Sequence, residues 1–97
     1  MPTYIMLAHY TDQGVRTIKE APKRAAAFRQ LCDRMGARVK DAYRTMGSYD
    51  LALVVEAPDD TTMNAILYSV GAKGNIRTET LRAFAEQEVN QALTKMV

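Results

Sequence analysis

Cysteine and histidine are scarce in this sequence. Cys32 and His9 are the sole representatives of their types among 97 residues, and tryptophan is missing altogether. A single cysteine excludes an intrachain disulfide and a zinc site of several thiolates. A single histidine, with no carboxylates at ligand spacing beside it, predicts no metal site. A chain without disulfides suits a reducing compartment, so we expect a cytoplasmic protein.

Hydrophobic runs of membrane-spanning length are also missing. No apolar stretch approaches the ~18 residues that a transmembrane helix requires, and residues 1–10 lack the basic start and apolar core of a signal peptide. Neither a Walker A sequence nor G-x-G-x-x-G occurs. We therefore expect no membrane partner and no cofactor. The hydrophobic content of 47% and the net charge of +2 predict one folded domain over residues 1–97.

Charge is distributed unevenly along the chain. Residues 16–44 carry nine Lys and Arg against three acidic residues, a net +6. These cations recur at helical and strand periods rather than in one cluster, which is typical of a solvated face and predicts no nucleic-acid partner. A nucleic-acid module would instead need the cations on one exposed face with an aromatic residue among them.

Apolar periodicity and turn residues predict the elements of the first half. Residues 3–10 predict a strand, followed by a short helical turn capped by Asp12. A longer helix is expected to begin with Pro22 at its first position and to end at Gly36, a left-handed C-cap. Residues 37–46 alternate in the manner of a second strand, with Val39, Asp41, Tyr43 and Thr45 on one side.

The second half repeats this organisation. A tight turn joins the second strand to a third at 51–57, which predicts an antiparallel hairpin. A helix then runs from a cap at 58–60 to Gly71, and a fourth strand spans 76–84. A terminal helix follows from about Ala85.

This order predicts an α+β fold of ferredoxin-like type, βαββαβ with an added C-terminal helix. The four strands should form one antiparallel sheet with two helices on one face. The strands at 3–10 and 51–57 are apolar on both sides, whereas a sheet with one wet face alternates. The second face is therefore expected to be covered by a second copy of the chain or by the terminal helix. Its predicted apolar members are Met6, Ala8, Ala52 and Val54.

Several stretches of the chain resemble a known family. These stretches are Thr11–Gly14, Ala21–Ala25, Thr45–Asp50 and Gly74–Phe84. Together they resemble the GYD-domain family of small bacterial proteins, whose Gly-Tyr-Asp signature corresponds to Gly47, Tyr49 and Asp50. The resemblance implies a dimeric α/β-barrel, in which two ferredoxin-like sheets pack face to face. It implies no particular reaction, because the wider group contains cofactor-free monooxygenases, isomerases and haem-degrading enzymes as well as ligand-binding proteins.

His9 and Tyr43 are the candidate catalytic residues. A lone histidine near a strand end can act as a general base, and a phenol on the next strand can orient a polar ligand in an otherwise apolar cavity. The alternative for His9 is an exposed or hydrogen-bonded position at the margin of the sheet. We expect a cavity between the sheet and its helices or a partner, bounded by the first, second and fourth strands.

Tyr49, Asp50, Arg77 and Glu79 are the candidate ligand-binding residues. Tyr49 and Asp50 could place a phenol and a carboxylate at a site. Alternatively, Asp50 could serve the turn by bonding to the backbone. Arg77 and Glu79 share one side of the fourth strand and could bind an anionic ligand, or could pair across strands or across a dimer.

Together these features predict a homo-oligomeric accessory or small-molecule-binding domain, a homodimer in the simplest case. The alternative is a cofactor-independent enzyme of monooxygenase or isomerase type. In that alternative His9 is the base, and Tyr43, Tyr49 or Arg77 polarises the substrate, which requires His9 in a closed pocket. The sequence identifies neither a ligand nor a pathway.

Overall fold

Four strands and four helices follow one another in the predicted order. The computed structural model describes all of residues 1–97. The strands are β1 Thr3–Tyr10, β2 Arg38–Arg44, β3 Leu51–Glu56 and β4 Ile76–Ala83. The helices are α1 Asp12–Arg16, α2 Ala21–Arg34, α3 Asp60–Gly71 and α4 Glu86–Thr94. A 3-10 turn at Ile18–Glu20 joins α1 to α2.

All four strands form one antiparallel sheet in the order β2-β3-β1-β4. The first strand, β1, lies inside the sheet, where Ile5 is opposite Val54 of β3 and Leu81 of β4. The two strand-helix-strand halves of the chain therefore interleave, and the two outer strands are β2 and β4. This is the sheet that the element order predicted.

Helices α2 and α3 cover one face of the sheet. Tyr4, Met6 and Ala8, which alternate along β1, are buried on this face, because successive side chains of a strand point to opposite sides. The same core cluster includes, from the two helices, Phe28, Cys32, Met63 and Ile66. Cys32 is therefore a core residue.

The opposite face of the sheet has no helix over it. We define this open face by its apolar members, Ile5, Leu7, Ala52, Val54 and Leu81. Its predicted membership was correct for Ala52 and Val54 of β3. It was wrong for Met6 and Ala8, which are 1% and 0% exposed beneath the helices. Both sides of β1 are apolar, so the strand's own pattern did not indicate which side the helices would cover.

The outer strand β2 contains a β-bulge at Lys40. Val39 and Asp41 pair with consecutive residues of β3, so Lys40 has no partner in the ladder. An inserted residue reverses the alternation that follows it. As a result Val39 faces the helices, while Asp41 and Tyr43 face the open side. The prediction that all three share one side was wrong. It assumed strict alternation along β2, and nothing in the sequence marks Lys40 as an inserted residue.

Local chemistry fixes the helix ends, with two differences from the predictions. Thr11, not Asp12, caps α1: its Oγ1 accepts the Gly14 N–H at 3.1 Å. Pro22 occupies the second helical position of α2 rather than the first. Gly36 follows α2 with a φ of +73°, the left-handed conformation predicted for it.

The terminal helix α4 leaves the end of β4 without entering the core. None of its residues is buried, and Val89 and Leu93 are 44% and 57% exposed. Its first turn is tied down by Glu88, which accepts the Ala85 N–H at 3.1 Å and an Arg82 Nη2 donor at 3.0 Å. Within one chain α4 thus leaves the open face uncovered. None of the helices is long and apolar enough to span a membrane.

Candidate functional site

A cavity of about 200 Å³ lies between α2 and the helix-covered face of the sheet. Of the 18 residues that line it, 13 are hydrophobic. Phe28 and Leu31 of α2 contribute to one wall, and Leu51 and Leu53 of β3 contribute to the sheet side. Strands β1, β2 and β4 also contribute residues, so the cavity involves every strand of the sheet.

The charges in the cavity lining all have one sign. Arg24, Arg29, Arg44 and Lys73 line it, and no Asp or Glu does. The ion pairs of the chain lie elsewhere, and they join Arg38 and Lys40 to Glu56, and Arg82 to Glu88. An apolar cavity edged by cations suits a ligand with an apolar body and a negative charge.

Two of these guanidinium groups are held by neutral acceptors at one end of the cavity. Arg24 donates to the Thr17 carbonyl at 3.1 Å, to Thr17 Oγ1 at 2.9 Å and to the Gly14 carbonyl at 3.2 Å. Arg44 Nη1 donates to the Tyr10 hydroxyl at 3.3 Å. Neutral acceptors orient a guanidinium without cancelling its charge. Because Tyr10 ends β1 and Gly14 follows it closely, both charges lie near the C-terminal end of β1.

The two candidate catalytic residues lie apart. Tyr43 belongs to the outer strand β2, which forms the margin of the cavity; its side chain is turned to the open side and is 62% exposed. His9 is exposed at the end of β1, on the same side of the strand as Ile5 and Leu7 and therefore on the open face. A single chain does not form the closed pocket around His9 that the enzyme alternative requires. The catalytic roles of these residues stay predictions.

Three of the four candidate ligand-binding residues meet at one end of the open face. Together with His9 we call Tyr49, Arg77 and Glu79 the polar cluster. His9 lies directly opposite Arg77 in the β1–β4 register. Tyr49 reaches over β1 from the β2–β3 loop and donates its hydroxyl to Glu79 Oε2, and this hydrogen bond raises the pKa of Tyr49. A ligand role for the cluster stays a prediction.

Asp50 bonds to the backbone rather than joining the polar cluster. Its N–H donates to the Ala8 carbonyl at 2.8 Å, and its Oδ2 accepts the Tyr10 N–H at 2.8 Å. Its carbonyl accepts the Thr45 N–H at 2.9 Å and so closes the hairpin loop, in which Gly47 has a φ of +106°. These bonds give Asp50 a turn-forming role and tie the β2–β3 hairpin to the end of β1.

A second, more open group of polar side chains lies between α3 and β4. Tyr4 donates its hydroxyl to Asp60 Oδ1. Burial raises the pKa of Tyr4 to about 12, with a further contribution from this hydrogen bond. The nearby Arg82 guanidinium lies 4.5 Å from the centre of the Phe84 ring. Nowhere in the chain do three or more His, Cys, Asp or Glu side chains form a group that could hold a metal ion.

The pattern of the sequence does not predict the cationic lining of the cavity. The spacing of the cations in residues 16–44 predicts a solvated face for Arg24, Arg29 and Arg44. One signal is available: Arg24 precedes Ala25, which recurs with Phe28 and Cys32 at the i, i+3, i+7 spacing of one helix face. No comparable signal existed for Arg44, because the bulge in β2 decides which side of the sheet it occupies.

Two comparisons relate the chain to known sequences. A family model described as the GYD domain matches residues 4–93. The chain is also 37% identical over 84 residues to the glutamine synthetase and cystathionine beta-lyase binding protein of Thermus thermophilus. That alignment covers 86% of this chain and 88% of the Thermus protein.

Solved structures share the fold. The leucine response regulatory protein LrpA of Mycobacterium tuberculosis superposes with a TM-score of 0.65 at 14% identity over 87% of this chain. The chain spans about half of that structure, 51% of its length. FFRP-DM1 superposes with a TM-score of 0.60 at 24% identity, over 87% of this chain and 100% of the other. At these identities the likeness shows the fold alone, and the predicted ferredoxin-like α+β fold is confirmed.

Proposed function

The chain belongs to the GYD domain family, and on this premise we propose that it is an accessory protein that acts by binding a metabolic enzyme. The Thermus relative is named for binding glutamine synthetase and cystathionine beta-lyase, and its alignment extends over most of both chains. Glutamine synthetase is therefore the first partner to test. The proposal places the chain in the cytoplasm, where the free thiol of Cys32 stays reduced.

The Thermus relative supports the enzyme contact, and the open face of the sheet supports a homo-oligomeric form of the accessory protein. Ile5, Leu7, Ala52 and Val54 lie on a face that no helix covers, and Leu81 beside them is 48% exposed. Single folded chains rarely leave a contiguous apolar surface of this kind in water. Contact with protein is the role that such a surface serves best.

A second copy of the chain is the occupant that we propose for the open face itself. A two-fold axis packs the same surface of each copy against the other, which covers both faces at once. The exposed apolar stripe of α4, with Val89 and Leu93, is then free to lie on the partner chain. Met46, in the β2–β3 loop, is 99% exposed, and we propose this side chain as a contact with the enzyme.

Light scattering of a matched pair of variants tests the homodimer. Leu81→Glu places a charge on the open face and should reduce the mass from twice 10.8 kDa to 10.8 kDa. Tyr68→Glu is the control, because Tyr68 is 72% exposed on α3, away from the sheet face. It should keep the dimer mass. A wild-type monomer at micromolar concentration would refute the homodimer.

Direct binding tests the accessory function. The purified chain should bind purified glutamine synthetase from its own organism in a biosensor assay. Met46→Ser should weaken that binding while light scattering still gives the mass of the wild-type oligomer. Failure to bind either glutamine synthetase or cystathionine beta-lyase at high micromolar concentration would overturn the accessory function and leave the homodimer standing.

A further inference from the structure

We propose that the cavity between α2 and the sheet binds a small organic anion, an apolar body that ends in a carboxylate. The apolar body contacts Phe28, Leu51 and Leu53, and the carboxylate lies towards Arg24 and Arg44. This site is on the opposite side of the sheet from the open face. It is therefore independent of the protein contacts proposed for that face.

The charge of the lining identifies the sign of the ligand. Four cationic side chains line one cavity, and no lining residue is acidic. The hydrogen bonds of Arg24 and Arg44 go to carbonyl and hydroxyl oxygens, so no carboxylate of the chain is paired with either group. A carboxylate bound beside either group would gain charge-assisted hydrogen bonds.

The remaining lining identifies the body of the ligand. Hydrophobic side chains predominate, and Phe28 and Leu53 are core residues that are 8% and 9% exposed. Inorganic phosphate or sulfate would satisfy the cations but would leave this apolar surface without a partner. An acid with an aliphatic or aromatic body uses both parts of the lining, as small-molecule sites generally do.

The volume of the cavity sets the size of the ligand. At about 200 Å³ the cavity is smaller than the sites that hold drug-sized ligands. This space suits an acid with a chain of about six carbons or a single aromatic ring. Long acyl chains and nucleotides would extend beyond it.

Titration of the isolated chain with sodium hexanoate, followed by amide chemical shifts, tests the site. We expect saturable shifts in α2 and β2 and a dissociation constant on the order of 1 mM or below. At equal concentration hexylamine should give no saturable shifts there, and 1-hexanol should bind about tenfold more weakly because it lacks the charge.

Three variants connect the binding to the cavity. Ala42→Leu places a larger side chain in the lining and should abolish hexanoate binding. Arg44→Gln should weaken it about tenfold, because one charge-assisted hydrogen bond is lost. Arg34→Gln removes the same charge from the last turn of α2, outside the lining, and should leave the affinity unchanged. Thermal unfolding verifies that each variant is folded.

Several results would overturn the proposal. They are the absence of hexanoate binding, equal binding of hexylamine, and unchanged affinity in folded Ala42→Leu or Arg44→Gln. A change of molecular mass caused by Ala42→Leu would also overturn it, since the cavity would then accommodate part of a second chain. None of these results depends on whether the chain binds glutamine synthetase.

Discussion

Gly14 in α1 lies against the backbone that enters β4. A Cβ at this position would lie 2.1 Å from the Asn75 carbonyl oxygen. The same oxygen accepts the Thr11 N–H at 3.1 Å, so the contact joins the end of β1 to the start of β4. The glycine is required by close approach of two backbones, since Gly14 is not among the glycines with positive φ.

Gly14→Ala should lower the free energy of unfolding by about 1–3 kcal/mol, because backbone on both sides of the contact must shift. Gly71→Ala is the matched control, since a Cβ there meets no atom within 4 Å. It should raise the free energy of unfolding by about 0.5–1 kcal/mol, because alanine lowers the conformational entropy of the unfolded chain. Urea unfolding measures both values, and equal effects of the two substitutions would contradict this account.

Asp50→Ala tests whether the signature aspartate serves the fold. Removing the carboxylate leaves the Tyr10 N–H without its acceptor, which should cost about 1–3 kcal/mol of unfolding free energy. Asp41→Ala, on the exposed side of β2, should change stability by less than about 0.5 kcal/mol. If Asp50→Ala has wild-type stability, the Asp50 carboxylate does not stabilise the fold, and its role in the wild-type protein would instead be to bind a ligand.

Stability should fall in alkaline solution. Burial raises the pKa of Cys32 from 9.0 to about 11, and burial with the Asp60 hydrogen bond raises that of Tyr4 from 10.0 to about 12. The folded state therefore holds both protons more tightly than the unfolded state does. The resulting stabilisation is complete below pH 9 and is lost as the pH rises towards 11 and 12.

Urea unfolding at a series of pH values measures this loss. The free energy of unfolding should be constant from pH 7 to 8.5 and should decline above pH 9. In Tyr4→Phe the decline between pH 10 and 12 should be shallower. A wild-type profile that is flat up to pH 11 would show that neither proton is held more tightly in the folded chain.

At the level of elements, periodicity predicted existence and order better than orientation. Helix α2 and the turns around Gly36 and Asp50 depend on local chemistry, so they could be predicted from the sequence. The side of the sheet covered by the helices depends on packing between distant segments. Met6 and Ala8 were misplaced for that reason, and the bulge at Lys40 reversed the assignment of Val39.

Hydrogen exchange tests the proposed position of α4 in the homodimer. A helix of nine residues is marginal on its own in water. Its amides should exchange slowly in the wild-type dimer and at least tenfold faster in monomeric Leu81→Glu. The amides of α3 serve as an internal reference and should be similar in both. Rapid exchange of α4 in a wild-type dimer would exclude it from the interface.

The whole molecule is elongated, with extents of 51 × 31 × 19 Å and a Cα radius of gyration of 14.7 Å. A compact chain of this length would have about 12.5 Å. X-ray scattering of monomeric Leu81→Glu should give the larger value, and the same variant ending at Ala85 should give about 12 Å. A full-length value near 12.5 Å would mean that α4 folds back onto the sheet.

Fold and site differ in how far the whole sequence could predict them. The fold follows from element order and was predicted from it. The cavity depends on how α2 lies over the sheet and on which side of β2 Arg44 occupies. The position of α2 and the side occupied by Arg44 both depend on tertiary packing, so no spacing of residues in the sequence predicts them. The candidates chosen from rare or signature residues, such as His9 and Tyr49, instead lie on or near the open face.

The pairing of β1 with β4 has a consequence during synthesis. Thr3 lies opposite Ala83 in the register, so β1 leaves the ribosome long before β4, which is one of its two neighbours in the sheet. Until β4 emerges β1 can pair with β3, while its other edge stays unsatisfied and open to foreign strands. A nascent chain stalled before Ile76 would therefore expose one unpaired edge of β1, which favours aggregation. We expect such fragments to require a chaperone.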